Sequence, residues 1–393
     1  MFNTIIIRNG EIAIKGENRS SFEKKLIVNI KRALFGLQGY HVYKGDGRWY
    51  IDSDEAIMPQ IMKRVGKVFG VVSYSPAIKF SGDYDELKSK AKELYEYMVS
   101  GSEYQTFKLE VKRSDKSFPM RSPEMVRDIA GYILANSEKK LKVDVHGPDL
   151  NIFVELREGK NILYANKVMG IGGLPVGING KVMTLLSGGI DSPVATYLAS
   201  KRGLEIEAVH FHSFPFTSEK SFQKVEELAK ILSQYTGKIT IHKVNLLPIQ
   251  KKISANCPEE LMTILSRRFM MRIAERLALK GEMGALVTGE SIGQVASQTL
   301  EGLAATNNAV EKLPVVRPLI SFDKEEIIQI AKKIDTFDTS IIPEEDCCTV
   351  FLPAHPATKP KIEKILSAEA NLDVEELVSE ACENEEPVMI ENF

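Results

Sequence analysis

Four cysteines and one tryptophan are all that the 393 residues contain of those two types. Cys257, Cys347, Cys348 and Cys382 are too sparse for the disulfide framework of a small secreted domain and lack zinc-ribbon spacing. Long apolar runs are missing as well. Met1-Phe-Asn-Thr-Ile-Ile-Ile-Arg8 is too short for a signal peptide, and no stretch approaches the roughly 20 apolar residues of a membrane span. A cytoplasmic protein with no membrane partner is expected. Two familiar phosphate motifs are also absent. No lysine follows Gly188-Gly189, which excludes a kinase-type P-loop, and the adjacent glycine pair does not make the Gly-x-Gly-x-x-Gly of a dinucleotide fold.

What is present is the composition of a soluble globular protein, 44% hydrophobic and 26% charged, long enough for two or three domains. Formal net charge is −2 but unevenly spread. Residues 1–170 hold 28 Lys/Arg against 22 Asp/Glu, and residues 171–393 hold 23 against 31. The front half is therefore the candidate polyanion-binding part, and the chain after Lys364 reads as an acidic helix and tail.

The most informative stretch is Lys181-Val-Met-Thr-Leu-Leu-Ser-Gly-Gly-Ile-Asp-Ser-Pro-Val-Ala195. Val182 to Leu186 has strand length, and Val194, Ala195, Tyr197 and Leu198 suit a helix packed on a sheet. Ser192 is a favoured N-cap type and Pro193 fits a first helical position. Ser187, Gly188 and Gly189 just before it let backbone N–H groups close around an anion at the positive helix end, so this turn is expected to hold phosphate. Asp191 is the best candidate to position magnesium or the reacting groups, because carboxylates suit hard cations.

From residue 181 onward strands and helices alternate: 182–186, a helix from Pro193, 206–211, a helix 222–235, 239–245, a helix 258–279 and 285–288. This predicts a doubly wound parallel sheet with ligands at the carboxyl ends of its strands. Earlier in the chain, strands at 4–7, 42–43, 48–51 and 71–74 with helices near 22–34 and 57–69 give the βαββαβ order of a ferredoxin-like domain, residues 1–75. A second α/β unit follows, with helices 84–98 and 125–136 and strands 106–113, 143–146 and 152–157. Its loop Lys112-Arg113-Ser114-Asp115-Lys116-Ser117-Phe118-Pro119-Met120-Arg121 is basic with one aromatic, suited to phosphates and a stacked base. By itself such a loop is more often a solvated surface; beside Gly10-Glu11-Ile12-Ala13-Ile14-Lys15-Gly16-Glu17-Asn18-Arg19 it gains weight.

Those two segments and Ser187-Gly-Gly-Ile-Asp-Ser-Pro-Val-Ala195 stand in the order in which they occur in the tRNA 4-thiouridine synthetase (ThiI) family, and the sequence resembles that family over almost its whole length. The resemblance implies three parts: the ferredoxin-like domain, an RNA-binding THUMP domain at 76–168, and an ATP pyrophosphatase (PP-loop) domain at 169–393 entered through a glycine-rich linker, 169–175. It implies ATP, with Mg2+, as cofactor and tRNA as partner. It carries nucleotide contacts onto Leu185, Leu186, Ser187, Gly188, Gly189, Asp191, Ser192, His210, Phe211, Arg267, Gly289 and Gln298. RNA contacts fall on Lys15, Arg19, Lys112, Arg113, Lys116, Phe118 and Arg121. Without it, His210 reads as a strand-end histidine in a polar cluster. At least one of Arg267 and Arg268 is expected to face the sheet edge and pair a phosphate.

Cys347 and Cys348 lie in a proline-rich loop where accessible thiols are a redox or sulfur-carrying candidate; two packed cysteines are the other reading. The resemblance favours Cys348, in Cys-Thr-Val-Phe, as the catalytic sulfur-handling residue. Zinc through Cys347, Cys348, Cys257 and His355 is a weaker alternative. Some members of the family end in a rhodanese domain, and this chain is expected to be a form without one. Sulfur is then expected from a cysteine desulfurase or a separate persulfide carrier, or from a cysteine of this chain. The resemblance also suggests a homodimer. The expected chemistry is adenylation of O4 of tRNA uridine 8 and its replacement by persulfide sulfur, with a second role in thiamine synthesis. A different adenylating enzyme on the same loop and an RNA-binding module with an inactive nucleotide fold are the rival readings.

Overall fold

The structure, a computed structural model, describes the chain apart from residues 46, 115–117, 158, 296, 297, 346, 348, 349, 352, 354–356, 392 and 393. It divides into two compact units, one of residues 1–19 and 34–172 and the other of 20–33 and 173–393.

The first unit runs β1 (Thr4–Asn9), β2 (Tyr40–Gly45), β3 (Arg48–Ser53), α2 (Met58–Val65) and β4 (Val71–Phe80), with α1 (Arg19–Ala33) between β1 and β2 in the chain. This is the βαββαβ order expected. It continues with α3 (Tyr84–Val99), β5 (Thr106–Arg113), α4 (Ser122–Asn136), β6 (Lys142–Val143), β7 (Leu150–Arg157), β8 (Lys160–Ala165) and β9 (Val168–Met169). The strand expected at 143–146 is only the two residues of β6. The two α/β stretches share one sheet of order β2-β3-β1-β4-β8-β7-β5-β6, with β9 beside β4. The joint is the antiparallel pairing of Ala77–Phe80 with Asn161–Tyr164, made possible because β4 is ten residues long rather than the four expected. Strand alternation puts Ile78, Phe107, Leu109, Ile152, Val154 and Leu163 into a core with Leu87, Leu94, Met125 and Ile129 of α3 and α4.

The second unit contains β10 (Lys181–Leu185), α5 (Asp191–Lys201), β11 (Glu205–His212), α6 (Glu219–Thr236), β12 (Ile239–Asn245), α7 (Leu247–Asn256), α8 (Met262–Lys280), β13 (Leu286–Val287), α9 (Leu300–Asn307), β14 (Val315–Val316), α10 (Lys324–Lys333), α11 (Phe337–Ser340), α12 (Ile362–Glu369), α13 (Val374–Glu383) and β15 (Glu386–Ile390). Its sheet order is β14-β13-β10-β11-β12-β15. The five strands from β14 to β12 are parallel, and the short β13 and the middle of β10 at the centre are fully buried. The acidic C-terminal segment is not a tail. Helical spacing puts Leu377, Val378 and Cys382 on one face that packs α13 against α8, and β15 pairs antiparallel with β12 from Ile239↔Ile390 to Lys243↔Glu386. The sheet is thus mixed, with its antiparallel strand at the edge. α7 begins at Leu247 with Pro248 as its second residue and did not stand out in the sequence because its apolar positions are short and interrupted.

Candidate active site

The site is built where β10, β11 and β13 end. The β10–α5 turn differs in one respect from the sequence expectation: α5 starts at Asp191, with Ile190 before it and no side-chain cap. Ser192 and Pro193 are its second and third residues. The Ser192 hydroxyl is drawn instead into the turn, where Oγ accepts the Ser187 N–H at 2.9 Å and lies 3.2 Å from Ser187 Oγ. Ser187 Oγ in turn accepts the Gly189 N–H at 3.3 Å. Two serines therefore brace the loop from inside and leave its outer wall to the N-terminal end of α5, where the helix dipole favours an anion. At Gly188 a Cβ would come to 3.2 Å from Cδ of Lys224, so the missing side chain admits a lysine stem beside the turn. Lys224 Nζ donates to the Ile342 carbonyl at 2.7 Å.

The loop after β13 closes onto this turn. A Cβ on Gly289 would stand 2.8 Å from the Ser192 nitrogen and 2.9 Å from the Asp191 carbonyl carbon, so only glycine permits the approach. Asp191 is held from two sides, accepting from Gln294 Nε2 at 2.7 Å and from Lys324 Nζ at 2.6 Å. Lys324 is placed by the N-terminus of α10, whose Asp323 and Glu326 form a reciprocal capping box.

Between these loops lies a cavity of about 430 Å³, walled by Leu185, Leu186, Ser187, Asp191, Ser192, His210, Phe211, Arg267, Gly289 and Gln298 among others. Ten of the twelve residues assigned to the nucleotide thus meet around one space. Gly188 and Gly189 border a second cavity of about 140 Å³ that shares His210, Phe211 and Cys347 with the first. Met270 and Met271 are core residues that also reach the cavity wall. His210 is buried, its Nδ1 3.0 Å from the Leu186 carbonyl, which ties the end of β11 to the turn.

The two arginines of α8 take separate roles. Arg267 faces the cavity and pairs with Glu290, whose other oxygen accepts from Arg317 Nε at 2.8 Å and Thr288 Oγ1 at 2.9 Å. Burial alone would raise the Glu290 carboxyl, but Arg267 and Arg317 reverse this and hold it below its usual value. Arg268 is 1% exposed and makes a bidentate pair with Glu369, at 2.8 and 2.9 Å, which Arg272 grips as well. It holds α12 to α8 and is unavailable to a phosphate. Glu290, Gln294, Arg317 and Lys324 were missed in the sequence because their partners are distant along the chain; Lys324 lies 133 residues from Asp191.

Cys347 is buried, which corrects the expectation of an accessible thiol there, yet it reaches the wall of both cavities. Gln250 fixes it by donating to its carbonyl at 2.9 Å. Cys348 lies outside the described residues, as does His355. Cys257 donates to the Ala368 carbonyl at 3.4 Å, and among the described residues no three His, Cys, Asp or Glu side chains form a group able to hold a metal. Asp191 offers a single carboxylate, a donor set that suits Mg2+ carried mainly by nucleotide phosphates and does not suit a resident ion.

In the first unit, Lys15 pairs with Glu11 at 2.9 Å between two short 3-10 turns, and Arg19 opens α1. Lys112 is exposed near the end of β5. Arg113 turns inward and donates to the carbonyls of Phe118 and Met120 at 2.8 and 2.6 Å, so it shapes the loop rather than projecting from it. Arg121 precedes α4, its N–H bonded to Glu124. Phe118 packs on Tyr84 with ring centroids 5.5 Å apart beside a cavity of about 300 Å³. Lys116 lies outside the described residues.

Comparisons with known proteins agree along the whole chain. Family models described as ThiI ferredoxin-like domain, THUMP domain and thiamine biosynthesis protein (ThiI) match residues 4–75, 81–166 and 177–374. A protein of Alkaliphilus metalliredigens named "Probable tRNA sulfurtransferase" is 56% identical, covering 97% of this chain and 96% of that one. One of the same name from Acetivibrio thermocellus is 50% identical, covering 99% of both. Among solved structures, a 4-thiouridine synthetase–RNA complex with bound ATP is 37% identical, with a TM-score of 0.92 and all of both chains covered. PH1313 of Pyrococcus horikoshii, 23% identical with a TM-score of 0.62 over 85% of this chain and 99% of that one, shares the fold.

Proposed function

The chain belongs to the thiamine biosynthesis protein (ThiI) family, and from that premise we propose that it is an ATP-dependent tRNA sulfurtransferase that makes 4-thiouridine at tRNA position 8. Sulfur delivery for thiamine synthesis is its second role. The observation that carries this reading is the 430 Å³ cavity, in which a phosphate-type turn, an arginine and an apolar recess converge.

Residues 1–75, 76–168 and 169–393 act as ferredoxin-like, THUMP and PP-loop parts. The adenine ring takes the apolar recess of Leu185, Leu186, Phe211 and Met271, and the triphosphate lies along Ser187–Ser192 at the head of α5. Arg267 exchanges its Glu290 partner for phosphate oxygen. Asp191 would hold a magnesium ion that travels with the triphosphate, whose contribution is to neutralise charge on the leaving pyrophosphate.

A uridine turned out of the RNA presents O4 to the α-phosphorus. The O4–P bond forms, the bond to the β-phosphate oxygen breaks and pyrophosphate leaves. A carbonyl oxygen is a poor leaving group until it is phosphorylated in this way. Persulfide sulfur then bonds to C4 as the C4–O4 bond breaks and AMP departs, and a thiol supplies the two electrons that cleave the remaining S–S bond. Cys348 is the sulfur-handling cysteine, fed by a cysteine desulfurase or a separate persulfide carrier. The enzyme works as a homodimer.

The test is incubation with unmodified tRNA, ATP, Mg2+ and sulfide, followed by nucleoside analysis. Formation of 4-thiouridine with stoichiometric AMP and pyrophosphate is expected. Release of ADP and phosphate, or thiolation of another base, would overturn the reading.

A further inference from the structure

The nucleotide turn and the segment leading to Cys347 meet at one side chain. Lys224 stands in the second turn of α6, three residues after Ser221, so the two share a helix face. Both line the cavity of about 140 Å³ beside Gly188 and Gly189. The lysine stem runs past Gly188, where a Cβ would come to 3.2 Å from Cδ, 3.4 Å from Cε and 3.5 Å from Nζ. The ammonium donates to the Ile342 carbonyl at 2.7 Å. One lysine thus borders the turn with its stem and fastens residue 342 with its tip.

The wall near that tip is acidic. Glu344 and Glu345 line the same cavity, and Lys224 is the one lysine or arginine among its described lining residues. Ser218, at the head of α6, donates its hydroxyl to Glu344 at 3.1 Å, and Gln250 holds the Cys347 carbonyl at 2.9 Å. The segment is therefore fastened at Ile342, Glu344 and Cys347, and only the first of these bonds comes from a cation. An ammonium gains more from an anionic oxygen than from a neutral carbonyl, and a four-carbon stem lets it turn from one to the other.

The two cavities divide a nucleotide between them. The larger holds the apolar recess and Arg267, whereas Gly188 and Gly189 line the smaller. We infer, on the reading of the Ser187–Ser192 turn as the triphosphate site, that the smaller cavity takes the pyrophosphate end of ATP and that Lys224 binds it, exchanging the Ile342 carbonyl for phosphate oxygen. The anion repels Glu344 and Glu345 as it draws Lys224 away. Residues 342–345 are released while pyrophosphate is present and refastened when it leaves. The segment that carries Cys347 closes only after the uridine is adenylated, and sulfur transfer is ordered behind the first step.

The test titrates AMP, ATP with Mg2+, and pyrophosphate with Mg2+ into the wild type, Lys224→Met, Lys224→Arg and Glu344→Gln. Lys230→Gln, further along α6, is the control, and thermal melts verify folding. Lys224→Met is expected to weaken ATP and pyrophosphate by about 10- to 100-fold and to leave AMP unchanged. Lys224→Arg should stay within about threefold of the wild type. Glu344→Gln, with one like charge removed, should bind pyrophosphate about threefold more tightly. Lys230→Gln should match the wild type. An equal loss for AMP would make Lys224 a prop for the turn, and wild-type affinities in folded Lys224→Met would leave the phosphates to other groups; either result overturns the inference. Unchanged or weaker pyrophosphate binding by Glu344→Gln would overturn the exchange even if Lys224→Met does not fold. If pyrophosphate fails to compete with ATP in the wild type, the triphosphate reading of the turn falls as well, an outcome distinct from these.

Discussion

The cavity of the second unit and the sheet face of the first both gather arginines and lysines, but they treat charge in opposite ways. Around the cavity three cations meet internal carboxylates: Arg267 and Arg317 share Glu290, and Lys324 meets Asp191. On the sheet face opposite α3 and α4 cations rest on aromatic rings, Arg8 on Tyr164, Lys79 on Tyr43 and Lys167 on Phe153. In the proposed function the cavity binds one triphosphate and releases its fragments, and counter-ions that can replace the ligand keep the buried charges paired at every stage.

The sharpest way to break this contrast is Asp191→Ala. With the carboxylate gone, Lys324 and the head of α5 lose their internal anion, and tRNA-dependent pyrophosphate release should fall by about a thousandfold or more at unchanged thermal stability. Retained release would mean that Asp191 only neutralises Lys324. A second test separates exchangeable pairs from structural ones. Glu369→Ala strands Arg268, 1% exposed, and should cost about 3–5 kcal/mol in urea unfolding. A loss below about 1 kcal/mol would place Arg268 among the exchangeable cations instead.

Gly289→Ala probes the fit between the two loops. Its methyl would push on the Asp191–Ser192 backbone, and a displacement of that kind should lower kcat/KM for ATP by about 100-fold while leaving tRNA affinity untouched. Acid sensitivity sharpens the contrast further. Glu290 is depressed by Arg267 and Arg317 in the folded chain. Its stabilisation is therefore present above the unfolded carboxyl value of about 4.3 and is lost as pH falls through the lower folded value. Urea midpoints between pH 6 and 3 should fall more steeply for the wild type than for Glu290→Gln; equal slopes would remove Glu290 from the account. The smallest effect is expected at Lys15→Gln, where a half-exposed partner to Glu11 should change tRNA affinity by no more than about threefold.

The nucleotide turn was legible because its function rests on contiguous residues: Ser187, Gly188, Gly189, Asp191 and Ser192 carry strand end, turn and helix start within six positions. The helix start was placed two residues late because Ser192 answers a bond inside the turn, which composition does not reveal. The front unit was legible as two α/β stretches of the right order, but their fusion was not, since the pairing of β4 with β8 depends on residues 81 to 87 apart.

Local pattern alone determined that a glycine turn leads from a strand into a helix start, which half of the chain carries the positive excess, and the alternation that makes the second unit a wound sheet. Those properties follow from side-chain period, backbone freedom and charge, which act over a few residues. Only the tertiary structure decided that Arg267 rather than Arg268 faces the cavity, that Glu290 and Lys324 are the counter-ions, and that the acidic C-terminus is an edge strand. Each of these is a contact between segments far apart in sequence, selected by burial and charge compensation in the folded chain.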